Sequence, residues 1–306
     1  MTAPSSPLRT PVTFCTDDGT VLRGWHYHPQ SEGDAPAPIV VLHNGFSGVK
    51  EVHLENYARV FAEAGLGALV FDHRGLGESG GRVRQEVDPA QYVADFKDAV
   101  TFAMALPRAD ARRVAAWGSS YGGGVVIQAT ATDPRVACLV VQVPFLSGGQ
   151  IWRRIPPAQQ AQMAGWFAQQ RTLRAQGQGI GMVPVVLEDP TSGPCIMQTR
   201  RSWEWCMGSA RQLPNWRNEV TVRSLELTFG FEPAAYLQGV APRPFMMIGA
   251  EADDLFPMEA TQQAFDSVSG THKRLVTLDC DHYAPYDERF AESSTAARDW
   301  LVEHLL

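Results

Sequence analysis

The stretch that decides the fold is AAWGSSYGGGVVI, residues 115–127, which places two serines beside a run of glycines. Ser120 has one glycine two residues before it and another two residues after it, which is the pattern G-x-S-x-G. The same frame around Ser119 has no glycine at either position. The pattern is typical of a sharp strand-to-helix turn, where side-chain-free neighbours let the two elements pass closely and the serine hydroxyl projects outward. Ser120 is therefore the candidate nucleophile.

Short apolar runs bounded by Gly, Asp and Pro recur along the chain and are typical of buried strands in a parallel sheet. The first two flank Asp17-Asp18-Gly19, which predicts a hairpin turn. Helical stripes lie between later runs, and one of them begins at Asp88-Pro89. The predicted strands are 12–14, 21–27, 39–42, 68–71, 114–117, 139–143, 245–248 and 275–278. This alternation predicts an α/β fold with a mostly parallel, eight-stranded sheet flanked by helices.

The stretch 144–236 interrupts the alternation. It contains paired prolines, a Gln/Ala-rich helical run and several tryptophans, but no strand–helix unit. A structureless loop of this length is uncommon inside a compact domain. We therefore predict a mainly helical cap insertion that folds over the carboxyl edge of the sheet, where the ligand sites of α/β proteins form. The core domain then comprises residues 1–143 and 237–306.

A serine nucleophile needs a base, and the base needs an acid that orients it. Glu251, Asp253 and Asp254 follow the seventh predicted strand, and His282 follows the eighth. Both segments leave the carboxyl ends of parallel strands, so we expect them at the same edge of the sheet as Ser120. The chain order Ser–Asp–His is the one described for α/β-hydrolases. On position alone, the three acidic residues remain alternatives.

Across nearly its whole length the chain resembles an α/β-hydrolase. The segments HNGFSGVKE, FDHRGLGESGG, WGSSYGGG and VPF are similar to those of a group of bacterial acyl esterases, dienelactone-hydrolase-like proteins and fungal polyketide-transferase-like proteins. The resemblance implies that Ser120 is the nucleophile and His282 the base. The family pattern places the acid four residues before a proline, and counting back from Pro257 gives Asp253 rather than its neighbour Asp254.

Backbone amides are suited to bind the oxyanion of an acyl-transfer reaction, because they are fixed donors that need no reorganisation. Tyr121, directly after the candidate nucleophile, supplies one of them. The segment Asn44-Gly45-Phe46 resembles the family's His-Gly-Phe, which implies that the Phe46 amide is the other. Asn44 stands where a histidine is usual, so we expect the hydrogen bonds that support this loop to differ.

Charge and composition exclude several classes of protein. A net charge of −7 and a pI near 5.6 argue against nucleic acid as a partner. The N-terminal MTAPSSPLRTP lacks the apolar core of a signal peptide, and no stretch approaches the ~20 apolar residues of a membrane span, so we expect a cytoplasmic protein with no membrane partner. The five cysteines form no C-x-x-C pair and H-E-x-x-H is absent, so we expect neither a metal nor an organic cofactor.

Two rival classes of protein fit the sequence less well. Residues 75–80 match G-x-G-x-x-G, but they lead into a loop rather than opening a helix, which argues against a dinucleotide site. A catalytically inactive binding protein of the same fold is the second rival. The filled positions of nucleophile, acid and base weigh against it.

The favoured function is hydrolysis of an ester or thioester of a medium-sized, largely apolar or polyketide-like acyl group, through an acyl-enzyme on Ser120. Acyl transfer to an acceptor other than water and C–C bond hydrolysis use the same three side chains and stay open. The expected partner is a small-molecule acyl substrate, and a homodimer also stays open. The insertion is rich in aromatic residues, and Trp152, Trp203 and Trp205 are its candidate substrate-binding residues, although tryptophans in such segments are more often core.

Overall fold

The computed structural model describes residues 9–31, 35–211, 213–270 and 272–306. The expectation about a signal peptide falls mainly on residues 1–8, which lie outside the described residues. Within the described residues, no helix combines the length and the apolar composition that crossing a membrane requires.

One eight-stranded sheet forms the centre of the fold. In chain order its strands are β1 (Arg9–Cys15), β2 (Val21–Tyr27), β3 (Ala37–His43), β4 (Gly67–Phe71), β5 (Ala109–Ser119), β6 (Val136–Gln142), β7 (Phe245–Ala250) and β8 (Lys273–Leu278). The spatial order is β1-β2-β4-β3-β5-β6-β7-β8. Strand β2 pairs antiparallel with β1 and β4, and all the other pairs are parallel. The predicted mostly parallel sheet with a hairpin at its edge is confirmed.

Helices follow most of the strands. In chain order they are α1 (Leu54–Glu63), α2 (Pro89–Met104), α3 (Tyr121–Ala131), α4 (Gly148–Arg154), α5 (Pro157–Ala175), α6 (Arg200–Ala210), α7 (Val222–Phe229), α8 (Met258–Ser267) and α9 (Phe290–Leu305). At the start of α2, the Asp88 side chain accepts the amides of Ala90 and Gln91, and Pro89 is the first helical residue. The predicted N-cap and first-turn proline therefore start this helix.

The helices cover both faces of the sheet. Alternate residues of β3 belong to different apolar clusters, because successive side chains of a strand point to opposite faces. Ile39 and Val41 pack in the cluster that includes residues of α2 and α3. Val40 and Leu42 pack in the cluster that includes residues of α1 and α9. All four are buried, which explains why β3 is a continuous apolar run in the sequence.

Among the described residues between β6 and β7, none belongs to a strand of the large sheet. This stretch forms helices α4 to α7, a 3-10 helix at Pro233–Gly239, and one short antiparallel pair between Met182–Val183 and Val220–Thr221. Mainly helical structure was predicted for most of this stretch.

The topology collects four loops at one edge of the sheet. Strands β3, β5, β7 and β8 run parallel, so their carboxyl ends point the same way. The residues that follow these ends are Asn44, Ser120, Glu251 and, four residues after β8, His282. This edge is where parallel α/β sheets bind ligands.

Candidate active site

Ser120 lies at a strained turn between β5 and α3. Its φ of 54° and ψ of −124° fall outside the regions that L residues ordinarily occupy. A Cβ atom on Gly118 would lie 2.5 Å from the carbonyl oxygen of Gly122, and one on Gly122 would overlap the carbonyl oxygen of Asn44. Both glycines of the G-x-S-x-G pattern are therefore required by close backbone contacts.

Ser120, His282 and Asp253 form one hydrogen-bonded series. His282 Nε2 lies 3.1 Å from Ser120 Oγ, and His282 Nδ1 lies 2.7 Å from Asp253 Oδ2. The three residues are buried, with 9%, 2% and 8% of their surface exposed for Ser120, His282 and Asp253. A carboxylate at Nδ1 favours the tautomer that carries its proton there, so that Nε2 is left to accept a proton from the serine.

The structure brings Asp253, and not its acidic neighbours, to the imidazole. One carboxylate oxygen of Asp253 binds the ring, and the other accepts the amides of Leu255 at 2.9 Å and Phe256 at 2.8 Å. These two amides fix the carboxylate at the start of the loop. Asp254 and Glu251 are exposed.

The loop after β3 is held together by Asn44. Its Nδ2 donates to the carbonyl oxygens of Val49 at 2.7 Å and Val52 at 3.2 Å, and its Oδ1 accepts the Gly45 amide at 2.8 Å. Asn44 thus supports the loop through both ends of its amide group. A Cβ atom on Gly45 would lie 3.3 Å from Ser120 Cβ, so the loop runs directly against the nucleophile turn.

Phe46 and Tyr121 are neighbours in this site, with their rings edge to face at a centroid distance of 5.2 Å. Tyr121 is the first residue of α3, so its amide has no acceptor within the helix. In the part of the chain that the structure describes, neither the Phe46 amide nor the Tyr121 amide donates to a protein group. Both amides are therefore available to a ligand oxygen.

A buried ion pair joins two of the motif segments. Lys50 Nζ lies 2.8 Å from Asp72 Oδ2, and the Lys50 amide donates to Asp72 Oδ1 at 2.7 Å. Burial alone would lower the pKa of Lys50, but Asp72, Glu78 and Glu51 raise it overall. The pair fastens the loop that carries Phe46 to the end of β4.

A small cavity of about 50 Å³ lies beside Ser120 and His282. Its wall is mainly apolar, and part of it comes from the helical stretch between β6 and β7. The wall residues from that stretch are Val185, Met197, Trp205, Cys206, Ser209, Leu213 and Trp216. Burial raises the pKa of the Cys206 thiol to about 12, so this group is a neutral part of the wall.

The three tryptophans predicted to bind substrate lie in different places. Trp205 is part of the cavity wall. Trp152 packs edge to face on Phe229 at 4.9 Å, and Trp203 lies under the guanidinium group of Arg200 at 4.6 Å. Neither Trp152 nor Trp203 is among the described residues that line the cavity. The structure thus brings Trp205 to the site and leaves the other two outside it.

Sequence reasoning missed Tyr283 and Tyr286, which both lie in the cavity wall. Tyr283 directly follows His282, and that adjacency is the one signal that could have identified it. Tyr286 carried no signal of its own. Among the described residues, no group of three or more His, Cys, Asp or Glu side chains is arranged to hold a metal ion.

Known proteins similar to this chain include a thiohydrolase and a polyketide transferase. A thiohydrolase of Eupenicillium brefeldianum is 31% identical over 267 residues, which cover 85% of this chain and 82% of the relative. A polyketide transferase of Penicillium sp, grgF, is 30% identical over 267 residues. These residues cover 87% of this chain and 86% of the transferase. The crystal structure of the α/β-hydrolase GrgF from Penicillium sp. sh18 superposes with a TM-score of 0.85 at 26% identity, over 97% of this chain and 99% of that chain.

These similarities confirm the predicted superfamily and support hydrolase or acyltransferase activity. The family model Hydrolase_4, described as serine aminopeptidase S33, matches residues 34–280. The match includes the loop after β3, the Ser120 turn, the loop after β7 and the residues after β8 as far as Cys280. The chain therefore belongs to the serine aminopeptidase S33 family of α/β-hydrolases.

Proposed function

We propose that this chain is a serine hydrolase that cleaves an ester or thioester of a medium-sized, largely apolar or polyketide-like acyl group through an acyl-enzyme on Ser120. The observation that carries the proposal is the position of His282, within hydrogen-bond distance of both Ser120 Oγ and Asp253 Oδ2. A serine hydroxyl becomes a nucleophile when a base at this distance accepts its proton. The names of the thiohydrolase and polyketide transferase relatives support acyl chemistry.

In the first step, His282 Nε2 accepts the Ser120 proton while Ser120 Oγ attacks the acyl carbonyl carbon. Asp253 orients the imidazole and stabilises its cation. The amides of Phe46 and Tyr121 bind the negative oxygen of the tetrahedral intermediate, where fixed donors in a water-poor site are most effective. The intermediate then expels the alcohol or thiol, which takes its proton from His282.

In the second step, His282 accepts a proton from water as the water oxygen attacks the acyl-enzyme. The same two amides bind the second oxyanion. Its collapse releases the carboxylic acid and returns the proton from His282 to Ser120.

We also propose that residues 144–236 act as a cap on a core domain of residues 1–143 and 237–306. Residues of this stretch, Trp205 and Leu213 among them, contribute to the wall of the cavity beside the nucleophile. An apolar wall supports an apolar acyl group, because burying such a group against it removes apolar surface from water.

Acyl transfer is the second candidate function, and the relative named a polyketide transferase favours it. Transfer and hydrolysis share the acyl-enzyme and differ in which acceptor attacks it. Product analysis by mass spectrometry, with alcohols and amines offered together with water, distinguishes them. An ester or amide product formed faster than the free acid would favour transfer.

Covalent labelling with a fluorophosphonate probe, read by intact mass, tests the nucleophile. We expect one adduct on the wild type and none on Ser120→Ala. Ser119→Ala, which alters the adjacent serine, is the matched control and is expected to be labelled. A folded wild-type protein that forms no adduct would contradict the proposal and favour the inactive binding protein of the same fold.

A series of acyl esters and thioesters of increasing chain length tests the substrate class. We expect the wild type to have a higher kcat/KM on medium-length acyl groups than on acetyl. Trp205→Ala should weaken this preference, because it removes part of the cavity wall. Trp152→Ala, at a tryptophan outside the wall, is the control and should keep it. Faster turnover of acetyl than of longer groups would exclude the proposed substrate class.

A further inference from the structure

Helix α6 both lines the cavity and bonds to the segment that carries His282. Three of its residues, including Trp205, lie in the cavity wall. Arg201, Ser202 and Trp205 also form hydrogen bonds to the segment 281–287, which contains His282. The helix that would contact an acyl group therefore also holds the segment that carries the base.

The buried connection is made by Tyr283 and Ser202. Tyr283 Oη donates to Ser202 Oγ at 2.7 Å, and the two residues are 2% and 0% exposed. Ser202 Oγ lies a further 2.7 Å from Thr199 Oγ, and Thr199 is the N-cap of α6. Burial raises the pKa of the Tyr283 phenol, so the hydroxyl remains a donor at neutral pH. Without Ser202, the buried Tyr283 hydroxyl would keep only the weak acceptor Met197 Sδ, at 3.5 Å.

A second connection is more exposed. Arg201 Nε lies 2.8 Å from Asp281 Oδ2, with about a third of each side chain exposed. The other oxygen of Asp281 accepts the amides of Tyr283 and Ala284, each at 2.9 Å. Ion pairs this exposed contribute little to stability. Asp281 thus bonds both to α6 and to the backbone that follows His282, while the buried hydroxyl pair is the connection better shielded from water.

The cavity is small compared with the acyl group that we propose as substrate. About 50 Å³ is far below the roughly 300–1,000 Å³ of sites that hold drug-sized molecules. A medium-sized acyl group exceeds this volume, and α6 is part of the wall that would have to move to admit it. Because α6 is bonded to Tyr283, its displacement acts on the residue next to His282.

We propose that Tyr283 is a positioning residue that couples the closure of α6 over the acyl group to the alignment of His282 with Ser120. With α6 closed, the bond from Tyr283 to Ser202 holds the backbone of the adjacent His282 in place. The inference rests on the proposed function, because it requires that His282 act as the base for Ser120. In this proposal, the alignment of His282 depends partly on α6, in the proposed cap, and not only on residues of the core.

The test compares Tyr283→Phe, Ser202→Ala and the double variant with the wild type, on an acyl ester that the wild type turns over. Tyr283→Phe keeps the ring against Trp205 and removes the hydroxyl. We expect kcat to fall about tenfold, equivalent to about 1.4 kcal/mol, with KM changed by less than about threefold. Ser202→Ala should lose as much, and the double variant no more, because each change removes the same bond. Tyr236→Phe, at an exposed tyrosine, is the matched control.

Two further measurements separate positioning from a structural role. The rate of fluorophosphonate labelling should fall with kcat, because it reports how well His282 activates Ser120, and the melting temperature reports folding alone. A lower melting temperature with kcat and labelling unchanged would overturn the inference, as would a raised KM with kcat unchanged. A wild type that neither labels nor turns over ester would refute the proposed function and this inference together. A reactive wild type whose variants match it would refute the inference alone.

Discussion

Ser119 and Ser120 are adjacent in the chain, but their hydroxyls belong to separate hydrogen-bond networks. Ser120 Oγ lies 3.1 Å from His282 Nε2. Ser119 Oγ lies 2.5 Å from the Tyr286 hydroxyl and 3.3 Å from the Gln142 carbonyl oxygen. Ser119 is the fully buried last residue of β5, whereas Ser120 occupies the strained turn. One serine holds the wall of the cavity, and the other faces the imidazole.

This division predicts opposite consequences for two alanine variants. Ser120→Ala should lower kcat by at least about 10⁴-fold, because the proposed nucleophile is lost. Ser119→Ala should keep kcat within about tenfold of wild type and lower the free energy of unfolding by about 1–3 kcal/mol, because the buried Tyr286 hydroxyl loses a partner. Steady-state kinetics and urea unfolding measure the two effects. An inactive Ser119→Ala with an active Ser120→Ala would reverse the assignment.

The two neighbouring aspartates give a second matched pair. Asp253→Asn keeps an oxygen for the Leu255 and Phe256 amides but removes the charge that orients His282. We expect kcat to fall by about 10⁴-fold, the scale on which an orienting carboxylate acts. Asp254→Asn, at the exposed neighbour, should change kcat by less than about threefold. Ester hydrolysis by both variants decides the question, and equal losses would contradict the role of Asp253.

Glycine contacts predict a difference between two helical positions. A Cβ atom on Gly122, in α3, would overlap the Asn44 carbonyl oxygen, whereas one on Gly165, in α5, would meet nothing within 4 Å. Gly122→Ala should therefore lower the free energy of unfolding by about 1–3 kcal/mol through overpacking. Gly165→Ala should raise it by about 0.5–1 kcal/mol, because alanine is the better helix former. Urea unfolding of the two variants checks this, and a neutral Gly122→Ala would mean that the turn is less tightly packed than described.

The sequence allowed the sheet and the main candidate residues to be predicted because their signals are local. Apolar runs mark the strands, and the glycines beside Ser120 are needed by backbone contacts within the turn itself. Asp253 and His282 lie within four residues of the ends of the strands that precede them. Once these strands are assigned as parallel, their carboxyl ends must point the same way, which places Ser120, Asp253 and His282 at one edge of the sheet.

The composition of the cavity wall could not be predicted, because it depends on contacts between distant residues. Arg201 and Asp281 are 80 positions apart, and nothing local in either segment indicates that they meet. The tryptophans of the helical stretch are alike in composition, yet Trp205 lies in the wall and Trp152 packs on Phe229. Which face a helix presents to the site depends on the packing of the whole stretch.

A stacked histidine pair behind the β3 loop predicts how stability depends on pH. The rings of His43 and His73 are 3.6 Å apart, both are buried, and His73 has no hydrogen-bond partner for either ring nitrogen among the described residues. Burial lowers the pKa of His43 to about 3 and lowers that of His73 well below its usual value. Both rings are therefore neutral in the folded protein across the mildly acidic range.

In the unfolded chain these histidines bind protons near pH 6.5. Their contribution to folding is complete above that pH and is lost as the pH falls towards the folded values, by up to about 1.4 kcal/mol per pH unit for each ring. His73→Phe keeps an aromatic ring and removes one titrating group. Between pH 6 and pH 4, its free energy of unfolding should therefore fall less steeply than that of the wild type, by about 1.4 kcal/mol per pH unit. Urea unfolding at four pH values measures both slopes, and parallel lines would show that His73 does not resist protonation in the folded state.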